Sequence, residues 1–468
     1  MNQSDLQQFA SHLPSRLYFV GAGGIGMAAL ERYFLSRGCR VAGYDRTPGD
    51  LTDALQREGV EIAFDDDPAL IPADILSDKD TLVVYTPAVP DSHRGLQYFR
   101  ANGYTVMKRA RVLGLLTLHL RGLCFSGTHG KTTTSSMAAH ILHNSSMGCS
   151  AFLGGILRNY NTNCIIDPGA ELCVIEADEY DRSFHHLSPE VAVVTATDPD
   201  HLDIYGTEEA YLESFAHFTE LIRPGGALLI HTGLMLRPRP GKEVRVRTYS
   251  RDAGDYPAEN IRRGNGSIIF DLVLPGDRRI SDIELGVPVE INIENAIAAI
   301  AAIDLAGALE PEAVRAAMAS FQGPKRRFEF WLHEPGRAII DDYAHHPDEL
   351  MASIRSVREL YPGKRLTVAF QPHLYTRTRD FADGFARALS MADEVILLPV
   401  YPARELPIPG VDSSIILKKI SVPCKKLLNS KKDLPMAAKN SNFEVLLTAG
   451  AGDISLELPD IVRGVTEK

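Results

Sequence analysis

Phe125-Ser-Gly-Thr-His-Gly-Lys-Thr-Thr-Thr134 decides how this chain is read. The apolar run Leu123-Cys-Phe125 predicts a strand entering it. Behind it, Met137, Ala138, Ile141 and Leu142 recur at helical spacing. A strand, a Gly-rich turn, Lys-Thr and a helix together make a phosphate cradle. Backbone N–H groups point into such a turn, and the helix N-terminus adds partial positive charge. Gly127 and Gly130 keep the turn free of side-chain bulk, with Thr128 and His129 between them. Lys131 is expected on the β/γ-phosphates of a nucleotide, the Thr132 hydroxyl on Mg²⁺, and Thr133 beside it. The common P-loop has four residues between its glycines, and this turn has two. A turn that merely caps a helix is the alternative.

Outward from the cradle, apolar strands end in polar loops. Leu172-Cys-Val-Ile175 runs into Glu176-Ala-Asp-Glu-Tyr-Asp181, and Val191-Ala-Val-Val-Thr195 runs into Asp198-Pro-Asp-His-Leu-Asp203. In a parallel sheet these ends collect at one edge, where ligands bind. Lys131, Thr132, Glu176 and His201 are therefore expected together. One carboxylate, one hydroxyl and phosphate oxygens suit a Mg²⁺ ion, and the imidazole of His201 suggests a second metal position or an outer contact. Asp178, Glu179 and Asp181 read as a solvated, helix-capping acidic turn. Glu243–Tyr249 alternates, and a hairpin turn at Gly264–Ser267 predicts a small antiparallel extension of the sheet. Asn292 and Asn295 open an Ala-rich helix one turn apart. They are placed to read an adenine edge, with capping as the alternative for Asn292.

The N-terminal stretch carries its own fingerprint. Arg16–Val20 is a strand, Gly21-Ala-Gly-Gly-Ile-Gly26 follows, and Asp45 stands at the end of the next strand. This is a G-x-G-x-x-G turn with an acidic partner, which by itself predicts a nicotinamide dinucleotide site. The same backbone holds the pyrophosphate of any nucleotide conjugate. The loop Thr86-Pro-Ala-Val-Pro90 is expected beside it. Residues 327–468 repeat the strand-and-loop pattern. Asp341-Asp-Tyr-Ala-His-His-Pro347, Gln371-Pro-His-Leu-Tyr-Thr-Arg377 and Ala449-Gly-Ala-Gly-Asp453 each follow an apolar run. His346 reads as a helix cap. Arg377 is suited to grip a carboxylate bidentately.

The totals agree with this picture. A chain of 468 residues predicts several domains. The boundaries are set at 1–115, 116–326 and 327–468. The fold class is α/β: an N-terminal Rossmann-like domain, a central P-loop parallel sheet with a small antiparallel extension, and a C-terminal Rossmann-like domain. A net charge of -11 argues against nucleic acid as a partner. No apolar stretch is long enough to span a bilayer, and Met1-Asn-Gln-Ser-Asp carries no signal-peptide pattern. Six cysteines without a Cys-x-x-Cys pair read as reduced thiols, so a cytoplasmic protein is expected, monomer or homodimer.

Taken as a set, Gly-Thr-His-Gly-Lys-Thr-Thr-Thr, Glu-Ala-Asp-Glu-x-Asp, Asp-His-Leu-Asp-x-Tyr, Arg-Arg-Phe-Glu, Asp-Asp-Tyr-Ala-His-His-Pro and Phe-Gln-Pro-His-x-Tyr-Thr-Arg-Thr resemble the muramyl ligases of peptidoglycan synthesis. The resemblance implies an ATP- and Mg²⁺-dependent ligase whose substrates are UDP-N-acetylmuramate and an amino acid, L-alanine for the branch that these motifs are most similar to. It implies that Gly23, Gly24, Ile25, Gly26, Asp45, Thr86 and Ala88 bind the UDP-sugar. It puts Gly127–Thr133, Asn292, Asn295, Arg327 and Asp342 on ATP, and Thr132, Glu176 and His201 on metal. His345, His373 and Arg377 would hold the amino acid, with Lys131, His201, His345 and Arg377 counted as catalytic. Closure of the domains around ATP is expected. Two alternatives stay open: a recycling branch that adds a preformed tripeptide to the same sugar nucleotide, and a nicotinamide-dependent oxidoreductase. The chain departs from the family pattern in four places, one of them Tyr180, which stands where the Glu-Ala-Asp-Glu loop has Ser. Glu213–His217 lacks the lysine of some relatives, Ile291 stands where the helix opening has His, and Leu374 stands where the loop often has Arg.

Overall fold

The computed structural model describes residues 13–466 except 87, 200, 201, 265, 335 and 404. By packing, the chain divides into two units. The first comprises Met1–Glu259, Asp271–Ile283 and Ile293–Ser320, and the second Asn260–Phe270, Glu284–Asn292 and Phe321–Lys468.

The first unit holds two sheets. β1 (Arg16–Val20), β2 (Arg40–Tyr44), β3 (Glu61–Ala63), β4 (Leu82–Tyr85) and β5 (Thr105–Lys108) form a parallel sheet in the order 3-2-1-4-5. Its central strands β1, β2 and β4 are apolar and buried, apart from residues at their ends, because both faces are covered. Leu17 and Phe19 point to one core and Tyr18 and Val20 to another, as the two-residue pleat requires. The order reverses between β1 and β4, which puts the Gly21–Gly26 turn and Thr86 at the switch point.

The second sheet contains β6 (Arg121–Ser126), β7 (Ser150–Leu157), β8 (Thr162–Ile166), β9 (Leu172–Glu176), β10 (Val191–Val194), β11 (Ala227–His231) and β12 (Arg245–Tyr249), in the order 12-11-10-6-9-7-8. All neighbours are parallel except β7 and β8. The alternating stretch Glu243–Tyr249 is therefore not part of the antiparallel piece. It adds to β11 as a parallel edge strand whose exposure falls along its length, from exposed Arg245 and Val246 through half-buried Arg247 and Thr248 to buried Tyr249. The separate three-stranded sheet is β13 (Ala258–Gly264), β14 (Ser267–Leu274) and β15 (Arg278–Glu284). Its connections are too short for anything but antiparallel neighbours.

The helix Ile25–Ser36 binds the two large sheets of this unit into one body. It packs on β1 and β2 and also on β7 and β8. Asn163 Nδ2 donates to Ile25 O at 2.8 Å, and the Tyr33 and Phe152 rings lie 5.6 Å apart. The helix Ile291–Leu305 is apolar all round, and Ala296–Ile303 is wholly buried, as such a helix must be.

In the second unit, β16 (Glu329–Glu334), β17 (Arg337–Asp342), β18 (Leu366–Phe370), β19 (Glu394–Leu397), β20 (Cys424–Leu427) and β21 (Val445–Ala449) are ordered 16-17-21-18-19-20. Only β16 runs antiparallel. The carboxyl ends of β17, β21 and β18 lie side by side and carry Asp342, Gly450 and Gln371.

Glu31, on the helix Ile25–Ser36, is 0% exposed, and neither carboxyl oxygen has a hydrogen-bond partner among the described residues. Burial holds its carboxyl well above the usual range. Its contribution to stability is therefore complete below the unfolded carboxyl's value of about 4.3 and is lost as pH rises through the folded one. Glu31→Met is expected to be more stable than the parent at pH 8 by about 1–3 kcal/mol, with the gap closing toward pH 4. Urea midpoints across pH measure this, and a gap that ignores pH contradicts it.

Candidate active site

After Ser126 the chain turns through Gly127 (φ +136°) and Gly130 (φ +84°) into the helix Lys131–His143. A Cβ on Gly127 would lie 2.2 Å from Thr195 Oγ1 and 2.7 Å from the Ala196 nitrogen, so only glycine lets the turn press on the end of β10. Thr128 fastens that contact: its amide donates to Ala196 O at 3.0 Å, and its hydroxyl to Asp198 O at 2.7 Å. The Thr195 hydroxyl donates to the carbonyls of Ser126 and His129. The His129 side chain is exposed, and Thr133 is half-buried beside Thr132.

Lys131 Nζ donates to Gly127 O at 2.7 Å and to Glu179 Oε1 at 2.8 Å. Glu179 thus corrects the expectation of a solvated acidic turn. Its residue is 0% exposed, its side chain caps no helix, and its carboxylate is the partner of the cradle lysine. The turn at Asp181 and Arg182 (φ +52° and +54°) folds Glu179 inward, and nothing in the local pattern of acidic residues announces that. Asp181 is exposed, as expected.

Thr132 Oγ1 donates to Glu176 Oε1 at 3.0 Å, and the Gly154 amide donates to Glu176 Oε2 at 3.0 Å. Burial raises the carboxyls of Glu176 and Glu179, opposed by the Thr132 hydroxyl at the first and by Lys131 at the second. A hydroxyl and a carboxylate meeting beside a phosphate cradle are a hard-oxygen donor set, which fits Mg²⁺. Among the described residues no three His, Cys, Asp or Glu side chains gather as a ligand cluster. His201 lies outside the described residues. Asn295 Oδ1 accepts from the Thr134 hydroxyl at 3.1 Å, which puts Asn295 against the cradle helix.

A cavity of about 380 Å³ opens beside the cradle, lined by Gly24, Ile25, Gly26, Thr86, Gly154 and Glu176 among others. It joins the Gly turn of the first sheet to the end of β9. The Gly turn is braced by Tyr44 O, which accepts from the amides of Gly21 and Ala22 at 2.7 and 2.9 Å. Asp45 Oδ2 accepts from the Gly23 amide at 2.6 Å, so this carboxylate pins the turn itself. Ala88 is exposed and does not line the cavity. Sequence reasoning missed Arg109, which lines the cavity from the start of the helix Arg109–His119.

In the second unit, His345 and His373 approach with ring centroids 6.2 Å apart, and His373 stacks on Tyr401 at 5.7 Å and 13°. His345 Nδ1 lies 3.0 Å from Tyr343 O, which fixes the tautomer with Nε2 as acceptor. Burial lowers both imidazoles, and the Arg377 charge acts in the same direction on each. His373 Nδ1 is buried with no partner among the described residues. Arg377 forms no ion pair among them, whereas Arg379 pairs with Asp380 at the surface. Leu374 sits at φ +68° and ψ 138°, a backbone state that side chains rarely adopt, held by its amide's bond to Tyr401 O at 2.9 Å. His346 caps the helix Pro347–Leu360, as its place before proline predicts.

Asp342 is a brace. Oδ1 accepts from the Phe328 and Tyr343 amides at 3.1 and 3.0 Å, and the other oxygen accepts from Ser353. The Arg327 guanidinium lies 5.5 Å over the Tyr343 ring. Asn292 Nδ2 donates to Val287 O at 3.0 Å, which orders the helix entry.

Family models match in chain order: Mur ligase family, catalytic domain, over residues 16–121; Mur ligase middle domain over 125–303; and Mur ligase, glutamate ligase domain, over 326–453. The UDP-N-acetylmuramate–L-alanine ligase of Parabacteroides distasonis is 58% identical over 439 residues, 94% of each chain. That of Phocaeicola vulgatus is 54% identical over 97% of this chain and 98% of its own. The solved UDP-N-acetylmuramate-alanine ligase MurC of Thermotoga maritima is 28% identical, with a TM-score of 0.76, covering 97% of this chain and 100% of its own.

The Lys131–Glu179 pair has a thermodynamic signature. Lys131→Met strands a buried carboxylate, and Glu179→Met strands a buried ammonium. Each is expected to cost about 3 kcal/mol, and the double variant less than their sum. Urea unfolding of the four proteins measures the coupling, and additive losses would show that the two side chains do not act as a pair.

Proposed function

The chain belongs to the Mur ligase family, and from that premise we propose that it joins L-alanine to the lactyl carboxylate of UDP-N-acetylmuramate, converting ATP to ADP and phosphate. It is a ligase of peptidoglycan synthesis, and through that of cell-wall biogenesis, cell shape and division. The observation that carries this is the 58% identity with an enzyme of that name over 94% of both chains. The tripeptide-adding and nicotinamide-dependent readings find no support in these relatives.

The reaction brings two anions together. A carboxylate oxygen attacks the γ-phosphorus and ADP leaves, giving an acyl phosphate. The amine of alanine then attacks the acyl carbon, loses a proton, and phosphate departs with the C–O bond broken. Neutralising and positioning charge is the main task. Lys131 and the amides of Gly127–Thr133 would take the phosphates of ATP. Thr132 and Glu176 would hold one Mg²⁺, and His201 a second metal position, with the ions supplying further positive charge. Asn292, Asn295, Arg327 and Asp342 would serve the rest of the nucleotide. The amides of Gly23–Gly26 would take the pyrophosphate of the UDP-sugar, with Asp45, Thr86 and Ala88 nearby.

Arg377 would hold the carboxylate of alanine between His345 and His373. With Nδ1 turned to Tyr343 O, His345 presents Nε2 to the amine proton. Residues 1–115 would form the UDP-sugar domain, 116–326 the ATP domain and 327–468 the amino-acid domain. No described helix is long and apolar enough to cross a membrane. A cytoplasmic place, as monomer or homodimer and without nucleic acid, fits the substrates.

Purified protein given ATP, Mg²⁺, UDP-N-acetylmuramate and L-alanine is expected to release phosphate only when all four are present. Release that ignores alanine would contradict the assignment, and replacing alanine with the tripeptide separates the recycling branch. Arg377→Ala is expected to raise the KM for alanine about tenfold or more. An unchanged KM would move the amino-acid site elsewhere.

A further inference from the structure

Arg109 lines the 380 Å³ cavity together with groups from both of its ends. On one side is the Gly turn. A Cβ on Gly26 would lie 2.9 Å from Arg109 Nη1, so the guanidinium is laid against the glycine where any side chain would displace it. On the other side the same cavity is lined by Gly154, Glu176 and Asp178. Met27, Leu30, Leu113, Phe152 and Leu153 complete its apolar wall. Most arginines of this unit are tied to a carboxylate: Arg32 to Glu58, Arg40 to Asp74, Arg121 to Glu190. Arg109 is half-buried, and among the described residues it has no hydrogen bond and no ion pair, although Asp178 and Glu176 favour its charge from a distance. A guanidinium drawn away from water and left without an acceptor is held ready for an anion from outside the chain.

We propose that Arg109 binds the lactyl carboxylate of the sugar nucleotide and holds it between the Gly turn and Glu176. This rests on the substrate reading above and extends it to a residue that none of the motifs contains. The reason is positional. The Gly turn is the pyrophosphate end of the cavity, and Glu176 with Thr132 marks the γ-phosphate end. The group of this substrate that must pass from the first toward the second is the carboxylate that becomes phosphorylated. Glu176 and Asp178 would repel it, and in a cavity with apolar walls that repulsion is poorly screened. A guanidinium at this point offsets the repulsion and offers two parallel donors to a planar carboxylate. The N-terminus of the helix Arg109–His119 adds charge of the same sign.

Two ligands separate this role from a pyrophosphate contact. UDP-N-acetylmuramate and UDP-N-acetylglucosamine share the uridine diphosphate and differ by the lactyl carboxylate. Calorimetric titration without ATP, on the parent, Arg109→Gln and Arg109→Lys, is the test. Arg109→Gln is expected to weaken UDP-N-acetylmuramate about tenfold to a hundredfold and to leave UDP-N-acetylglucosamine and UDP essentially unchanged. Retained UDP binding also reports that the variant is folded. Arg109→Lys keeps the charge without the fork and should recover part of the loss. Equal weakening of all three ligands, or no weakening of any, would overturn the proposal. If the parent binds none of them, the substrate reading itself falls, and this assignment with it.

Discussion

Glu179 is sealed from water, and a carboxylate that stays ionised there needs a cation beside it. Lys131, the first residue of the cradle helix, is that cation. The pair joins the turn after β6 to the loop after β9. The Thr132–Glu176 bond makes a second tie one residue further on, and the Gly154 amide extends it to β7. Three strand ends are thereby held in one arrangement. The charges that would meet a triphosphate are kept in place by charges of the protein, so the site's electrostatics and its local stability have the same origin.

The same economy of parts appears where the two sheets of the first unit meet. The helix Ile25–Ser36 begins at the Gly turn, where its N-terminus faces the cavity, and its flank is clamped between the sheets. Asn163, Cys164 and Phe152 of the second sheet contact it directly. A nucleotide-binding turn and the wall of a phosphate site are thus built on one helix. In the second unit the corresponding work is done by backbone strain and aromatic stacking. Leu374 in a left-handed extended state, fastened to Tyr401, aims His373 and the start of the helix Tyr375–Asp380. Burial keeps His345 and His373 on the neutral side, which is the state in which an imidazole can accept a proton.

Much of this was open to reading in advance. Apolar runs of four to six residues, each ending in a polar loop, are what a parallel sheet covered on both faces demands, so the α/β class and the loaded sheet edges follow from pattern alone. Gly127, Gly130, Lys131 and Thr132 are legible for the same reason: a phosphate cradle needs bare backbone and a fixed cation at short, fixed spacing. Glu243–Tyr249 misleads because an alternating pattern says nothing about strand direction. Asp45 and Asp342 stand at strand ends, where ligand contacts gather, and their bracing role could not be read from that place. In the fold they tie down the Gly23 amide and the Phe328 loop.

Spacing along the chain determined the strands, the turns, the helix starts and the order of the domains, since each of these depends on neighbours within a few residues. Which carboxylate faces Lys131, whether Arg109 meets a carboxylate among the described residues, and which histidine loses its water were decided only when segments far apart in the chain came together. Glu179 and Arg109 carry no local mark, because burial and pairing are properties of what packs around a side chain and not of the residues beside it.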